Sequence, residues 1–169
     1  MYEQVQKKLK KIFNGRFSTS ESTRANYARG EDTYDPILSR AVVFPETNEE
    51  VSKILVICNQ YKVPVVPFGT GTSLEGNVVG NEKGITISLE KMNKILAINT
   101  QDFDCRVQAC VTREQLNDYL REDGVFFPID PGANAAIGGM ASTSASGTMA
   151  VKYGTMKTVI TGLKVVLPN

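Results

Sequence analysis

The chain has 169 residues, of which 41% are hydrophobic and 22% charged; it is long enough to bury roughly 70% of its unfolded surface, and its composition excludes collagen-like, low-complexity and wholly disordered proteins. Its 19 basic and 18 acidic side chains leave a net charge of +1, too balanced for a nucleic-acid footprint. It contains no His, which excludes Ser-His-Asp and Cys-His catalysis, His-ligated metals and His pH switches within this chain.

Val5, Leu9, Ile12 and Phe13 fall at helical spacing, with Lys7, Lys8, Lys10 and Lys11 mostly off that face. This predicts an amphipathic helix packed on its own domain; a basic helix lying on a membrane is the weaker alternative. Met1–Lys11 lacks the apolar core of a secretory signal, and no apolar run reaches transmembrane length. Residues 14–35 are polar and read as an extended surface segment.

Ala41–Phe44 is a short apolar run closed by Pro45, as in a buried strand. Thr47 then predicts a helix cap, with Glu50 as the capping-box partner and Val51, Ile54, Leu55 and Cys58 as the apolar stripe. Val63–Phe68 and Gly84–Leu89 read as two further strands. Strand, helix, strand with a short connection predicts a parallel pair. Ile95–Ile98 and Cys105–Ala109 flank a short polar link and predict antiparallel neighbours. Thr112 is a predicted N-cap with Gln115 in its box, Leu116, Tyr119 and Leu120 form the stripe, and Gly124 ends the helix. Val159–Leu167 alternates partly and reads as another strand.

The fold class is therefore α+β, with a small parallel sheet followed by a mixed or antiparallel one. The expected organisation is an N-terminal helix and polar segment over 1–35, then one domain over 36–169. That domain divides into subdomains at about 36–90 and 91–169.

Cys58, Cys105 and Cys110 include no CxxC pair and are too few for a structural zinc site. Three reduced thiols in a reducing compartment are expected, hence a cytoplasmic location, with contact at the inner face of a membrane left open. No metal site is expected.

Two glycine-rich segments carry the chemistry. Pro67–Gly76, PFGTGTSLEG, follows a predicted strand. Gly69 and Gly71 let amides approach a ligand closely, and Thr70, Thr72 and Ser73 add hydroxyl donors, which together suit phosphate oxygens. The loop has no Lys and so is not a Walker P-loop, and Leu74 stands where a Rossmann fingerprint needs its third Gly. From Gly132 to Thr148, 14 of 17 residues are Gly, Ala, Ser or Thr, which builds little core but lets backbone lie close to something flat. Gly138 and Gly139 can open a short helix whose first amides face an anion. One extended ligand with a pyrophosphate and flat rings would use both segments. A plain turn and a linker are the alternatives for the two segments.

Val43–Val51, Val63–Gly76, Phe127–Ala133, Ile137–Ala141 and Tyr153–Thr155 together resemble the FAD-linked oxidases of the vanillyl-alcohol-oxidase and p-cresol-methylhydroxylase type. Within that family they resemble the branch of D-lactate dehydrogenases and glycolate oxidases. The resemblance spans about Arg40 to Pro168 with the motifs in order. It implies a PCMH-type FAD-binding domain of two α+β subdomains with FAD between them. Pro67, Gly69, Thr70, Gly71, Thr72 and Ser73 would hold the pyrophosphate. Pro131, Gly132, Gly138 and Gly139 would line the flavin and ribityl region. Ser142, Thr143, Ser144, Gly147, Tyr153 and Gly154 would complete the cofactor wall. Some members of the wider family attach FAD through His, which this chain lacks; Tyr or Cys linkage is conceivable, but the lactate and glycolate branch implies non-covalent FAD.

The family chains are much longer, so this sequence reads as the N-terminal FAD-binding part, ending in the first strand of a hairpin. The implied reaction oxidises a D-2-hydroxy acid to a 2-oxo acid. Hydride passes to flavin N5, and a base outside this chain takes the hydroxyl proton. No catalytic side chain is therefore assigned, and little turnover is expected of this piece alone. Electrons would pass to a quinone, a cytochrome or an iron–sulfur partner subunit. Another flavoenzyme on the same fold, or a non-catalytic module binding a phosphate-bearing ligand or a protein, is the alternative.

Overall fold

The computed structural model describes residues 2–168; Met1 and Asn169, which the terminal readings above include, lie outside it. The chain forms two compact units. The first runs to Lys91 and takes in the segment from Val165 onward, and the second is Met92–Lys164.

In the first unit, helix α1 (Tyr2–Ile12) buries Val5 and Leu9, and Phe13 follows them into the core. Such burial is worth roughly 2 kcal/mol per large apolar side chain. Strand β1 (Phe17–Ser18) pairs antiparallel with β2 (Val42–Val43). β3 (Val65–Phe68) and β4 (Ile85–Ser88) complete a four-stranded sheet of order β1-β2-β4-β3. β2, β4 and β3 run parallel, with Val42 opposite Thr86 and Val66 opposite Thr86 on the other side. The central strand β4 is buried along its whole length. Alternation sends Ile85 and Ile87 into the core with α1, Ala41, Val43 and the helix α3 (Asn48–Gln60). Thr86 belongs to the other face, where its hydroxyl donates to buried Ser39 Oγ at 2.8 Å.

The Thr47 cap forms as expected, its side chain accepting from the Glu50 amide. The reciprocal bond of the expected box does not. Glu50 instead accepts from the Glu46 amide at 2.7 Å and takes both guanidinium nitrogens of Arg16 at 2.6 Å. That fork holds the Glu50 carboxyl down at about 2. Because the folded value lies below the ordinary one, the stabilisation is complete above about pH 4.5 and is lost as pH falls towards 2. Glu50→Gln is expected to cost about 1–2 kcal/mol near neutrality, after discounting for a pair about one-fifth exposed. Urea unfolding at about pH 7 and about pH 3 checks this: the gap between variant and parent should narrow with acid. A gap that widens would refute it.

Residues 14–35 differ from the extended surface segment expected. They supply β1 and the short helix α2 (Glu21–Ala25), and they bury Ala28 and Asp32. The polar sequence is compatible with burial because its polar atoms are bonded: Asp32 accepts from the amides of Gly30 and Tyr34. The crossover from β3 to β4, residues 69–84, contains no helix.

In the second unit, β5 (Ile95–Asn99) and β6 (Asp104–Val107) form the expected antiparallel pair, with an irregularity between Ile95 and Ala97. Helix α4 (Arg113–Leu120) is capped by Thr112, which accepts from the Gln115 amide. A 3-10 turn (Arg121–Asp123) then ends at Gly124 with φ +69°. Val111, Leu116 and Leu120 form one small core. Ile129, Ala135, Met140 and Met156 form another, built around α5 (Ile137–Thr143), with α6 (Ala150–Tyr153) and α7 (Met156–Val159) following.

The strand expected over Val159–Leu167 is absent. Val159 ends α7, and residues 160–168 have no regular structure. Alternation alone makes no strand without a ladder, and no described strand pairs with this stretch.

Candidate functional site

In the first unit, Pro67 is exposed on β3, and the turn that follows carries Gly69, Thr70, Gly71, Thr72 and Ser73 together. Gly71 is buried with φ +76°. A Cβ there would sit 2.8 Å from the Phe68 ring, so this position needs Gly for two internal reasons. Phe68 meets Tyr27 edge-on at 5.1 Å, Tyr27 meets Phe44 at 5.7 Å, and the Tyr27 hydroxyl bonds the Glu90 carboxylate. This aromatic row props the turn from below. From the other side, the Glu31 amide donates to Gly71 O at 2.9 Å. Gly30 lies so close that a Cβ would fall 2.5 Å from that same oxygen. The support from Gly30–Asp32 was not read from the sequence; its only signal is Gly followed two residues later by Asp, an Asx-turn pattern. Thr70 is exposed, with its hydroxyl 3.3 Å from that of Thr72. The Ser73 hydroxyl accepts from the Asn77 side chain at 3.0 Å.

In the second unit, Pro131 and Gly132 precede α5, which carries Gly138, Gly139, Ser142 and Thr143. Ser144 caps α5 in the left-handed region, φ 50°. Gly147 follows, and Tyr153 and Gly154 end α6. The helix opens where expected, but its first amides do not face an anion. Those of Ile137 and Gly138 donate to Val111 O and Ala109 O, both at 2.8 Å. Gly138 packs on Ala109, where a Cβ would meet atoms at 2.8–3.1 Å. The hydroxyls of Ser142 and Thr143 donate back to Gly138 O and Gly139 O within the helix.

Gly139 is different. It is exposed, its φ is not positive, and a Cβ would meet nothing within 4 Å. A glycine in a helix costs about 1 kcal/mol relative to Ala. Among the described residues no close neighbour and no backbone angle accounts for that cost here. Gly132, exposed with φ +88°, is equally open.

The electrostatics are mild. Asp130 is held below the usual carboxylate range, first by the Thr148 hydroxyl and then by the Met149 amide. Burial pushes the Cys58 thiol up to about 12, so it is inert near neutrality. Cys58 and Cys110 are buried, Cys105 is exposed, and none of the three is in a disulfide. No group of three or more His, Cys, Asp or Glu among the described residues could hold a metal. No helix of the described chain is long and apolar enough to cross a membrane.

The two units carry, each on its own, a hydroxyl-rich turn and a short helix with a bare glycine, and the class of protein is given by the sequence family. Residues 39–169 match the FAD binding domain family, to which the chain belongs, and its cofactor is FAD. It is 47% identical to a probable mitochondrial D-lactate dehydrogenase of Danio rerio over 152 residues, 90% of this chain and 31% of that protein. It is 42% identical to the mitochondrial D-lactate dehydrogenase (cytochrome) of Arabidopsis thaliana, over 99% of this chain and 31% of that one. Glycolate oxidase subunit GlcD of Bacillus subtilis is 32% identical over 90% of the chain and 33% of its own length. The chain thus spans about a third of the length of these relatives. An alkyldihydroxyacetonephosphate synthase structure superposes with a TM-score of 0.83 at 22% identity, over 93% of this chain and 32% of that one. p-Cresol methylhydroxylase superposes at 0.63 and 22% identity, over 76% and 25%. These likenesses establish the PCMH-type fold expected from the sequence.

Proposed function

We propose that the chain is the FAD-holding part of a flavin-dependent dehydrogenase that oxidises a D-2-hydroxy acid, of the lactate or glycolate type, to the 2-oxo acid. The likeness to D-lactate dehydrogenases over nine-tenths of the chain carries this reading. When bound, FAD supplies the two-electron redox chemistry, and the protein supplies position and local electrostatics.

Backbone and hydroxyls of Gly69, Thr70, Gly71, Thr72 and Ser73, entered from Pro67, would hold the pyrophosphate. Pro131, Gly132, Gly138 and Gly139 would lie along the flavin and ribityl chain. Ser142, Thr143, Ser144, Gly147, Tyr153 and Gly154 would close the wall and keep water from it. The turn itself contains no cation, so the donors it offers the phosphates would be neutral. Attachment would be non-covalent, as the resemblance to the lactate and glycolate branch implies, and this chain has no His for a histidyl link.

The hydroxy acid would be gripped and deprotonated by residues outside this chain. An electron acceptor or an iron–sulfur partner subunit would complete the cycle. Thiols outside any disulfide fit a reducing compartment, the cytoplasm or the interior of a mitochondrion.

The test is a visible absorption spectrum of the chain after FAD is added and the excess removed by desalting. Retained flavin bands are the expected result. A colourless protein that still melts cooperatively would overturn the claim that these residues hold FAD.

A further inference from the structure

We propose that Asp130 is a positioning residue for the cofactor wall: its carboxylate ties the two ends of the small-residue segment, 130–132 and 147–149, to one another. This rests on the FAD reading above and assigns a role to a residue that reading leaves unused.

The position of Asp130 is tightly set. Ile129 before it is 1% exposed and anchored in the α5 core. Pro131 after it restricts Asp130 to extended backbone. From there Oδ1 accepts the Met149 amide at 3.1 Å, and Oδ2 accepts the Thr148 hydroxyl. Gly147 comes closer still: a Cβ on it would fall 2.1 Å from both the Asp130 carbonyl oxygen and Oδ1. Three successive residues of the returning arm therefore fit against a single aspartate. The same bonds, with the charge of Arg113 adding to them, keep the carboxyl ionised.

The segment between these ends contributes few buried side chains to the small core around α5. Of residues 133–146, Ala135, Ala136 and Met140 alone are buried. The candidate contacts from Pro131 to Gly147 all lie within the loop that Asp130 closes. With the clamp in place the wall is ordered before FAD arrives. Without it, ordering is charged against binding.

The experiment measures FAD affinity by flavin fluorescence, together with the melting temperature of the FAD-free chain, for Asp130→Ala, Asp130→Asn and Thr148→Val. Asp130→Ala should raise the Kd for FAD at least tenfold. Asp130→Asn should lose less, because it keeps an oxygen for the Met149 amide. Thr148→Val should also weaken binding, yet add nothing in the Asp130→Ala background. The Met149 amide should exchange faster with solvent once the carboxylate is gone. Unchanged affinity in Asp130→Ala, equal losses for Ala and Asn, or a loss that merely tracks a fallen melting temperature would each overturn the clamp. If Asp130→Ala does not fold, Asp130→Asn and Thr148→Val decide the matter by the same readings. Gly139→Ala separates the two levels of the argument. If it weakens FAD while the Asp130 variants do not, the clamp alone falls; a chain that takes up no FAD at all removes both.

Discussion

Gly139→Ala should make the FAD-free chain more stable and its grip on FAD weaker. The first half follows from helix chemistry. Gly139 lies in α5 with no neighbour within 4 Å of a Cβ, so the methyl meets no clash. Removing a helical glycine then gains up to about 1 kcal/mol, or a rise of about 2–4 °C in melting temperature for a chain of this size. The second half follows from the proposed site. A methyl group on a surface pressed against a flat ring system holds that ring off, and an affinity loss of at least about tenfold is expected, about 1.4 kcal/mol. Calorimetry of the FAD-free chain and fluorescence titration with FAD read the two halves independently. Opposite signs are hard to produce by general damage. A stabilised variant with the parent's affinity would show that the open space over Gly139 is not ligand space.

Gly71→Val should abolish most FAD binding, for a reason that lies inside the protein. Gly71 has φ +76°, which a β-branched residue adopts only with strain of about 1–3 kcal/mol. Its Cβ would also press on the Phe68 ring at 2.8 Å. Phe68 is 6% exposed and braced by Tyr27, so the ring has little room to yield. The turn must therefore open, and its amides and hydroxyls lose their common focus. We expect a loss well beyond tenfold in FAD affinity with the sheet still folded, seen as a retained far-ultraviolet circular dichroism spectrum. A folded Gly71→Val chain with unchanged affinity would remove the pyrophosphate assignment. The sequence alone suggests that the valine would occupy phosphate space; the structure puts the collision with Phe68 first.

The contrast between these two glycines shows what a sequence can disclose. Both stand in conspicuous Gly-rich stretches, and both belong to the expected cofactor set. Only the fold separates a glycine required by its own backbone from one with no internal cause. The parallel strands were legible because Ala41–Phe44, Val63–Phe68 and Gly84–Leu89 are dense apolar runs with Pro or Gly at their margins. The helix starts at Thr47 and Thr112 were legible because a hydroxyl cap is a local, one-bond event. Residues 14–35 were not, since Ala28 O and the Glu31 amide are bonded by Gly80 and Gly71, far along the chain. Val159–Leu167 misled because period-two alternation reports the faces of a strand and says nothing about a partner. The amides of Ile137 and Gly138 misled for a similar reason. A helix start is visible in sequence, whereas the carbonyls of Ala109 and Val111 that occupy it are not.

The helix-free crossover between β3 and β4 has a practical consequence. Parallel strands are ordinarily joined through a helix that docks on the sheet. Here residues 69–84 lean on a stretch some forty positions upstream instead: the Gly80 amide reaches Ala28 O at 2.9 Å, the Asn81 amide reaches Ser39 Oγ at 3.0 Å, and the Glu31 amide reaches Gly71 O. The family match begins at residue 39. A gene trimmed to that boundary would keep every glycine of the turn after β3 and discard Ala28 and Glu31, two of the three braces. A piece that keeps all three bonds begins upstream of Ala28, so the limits of the recognisable domain and those of the braced turn do not coincide.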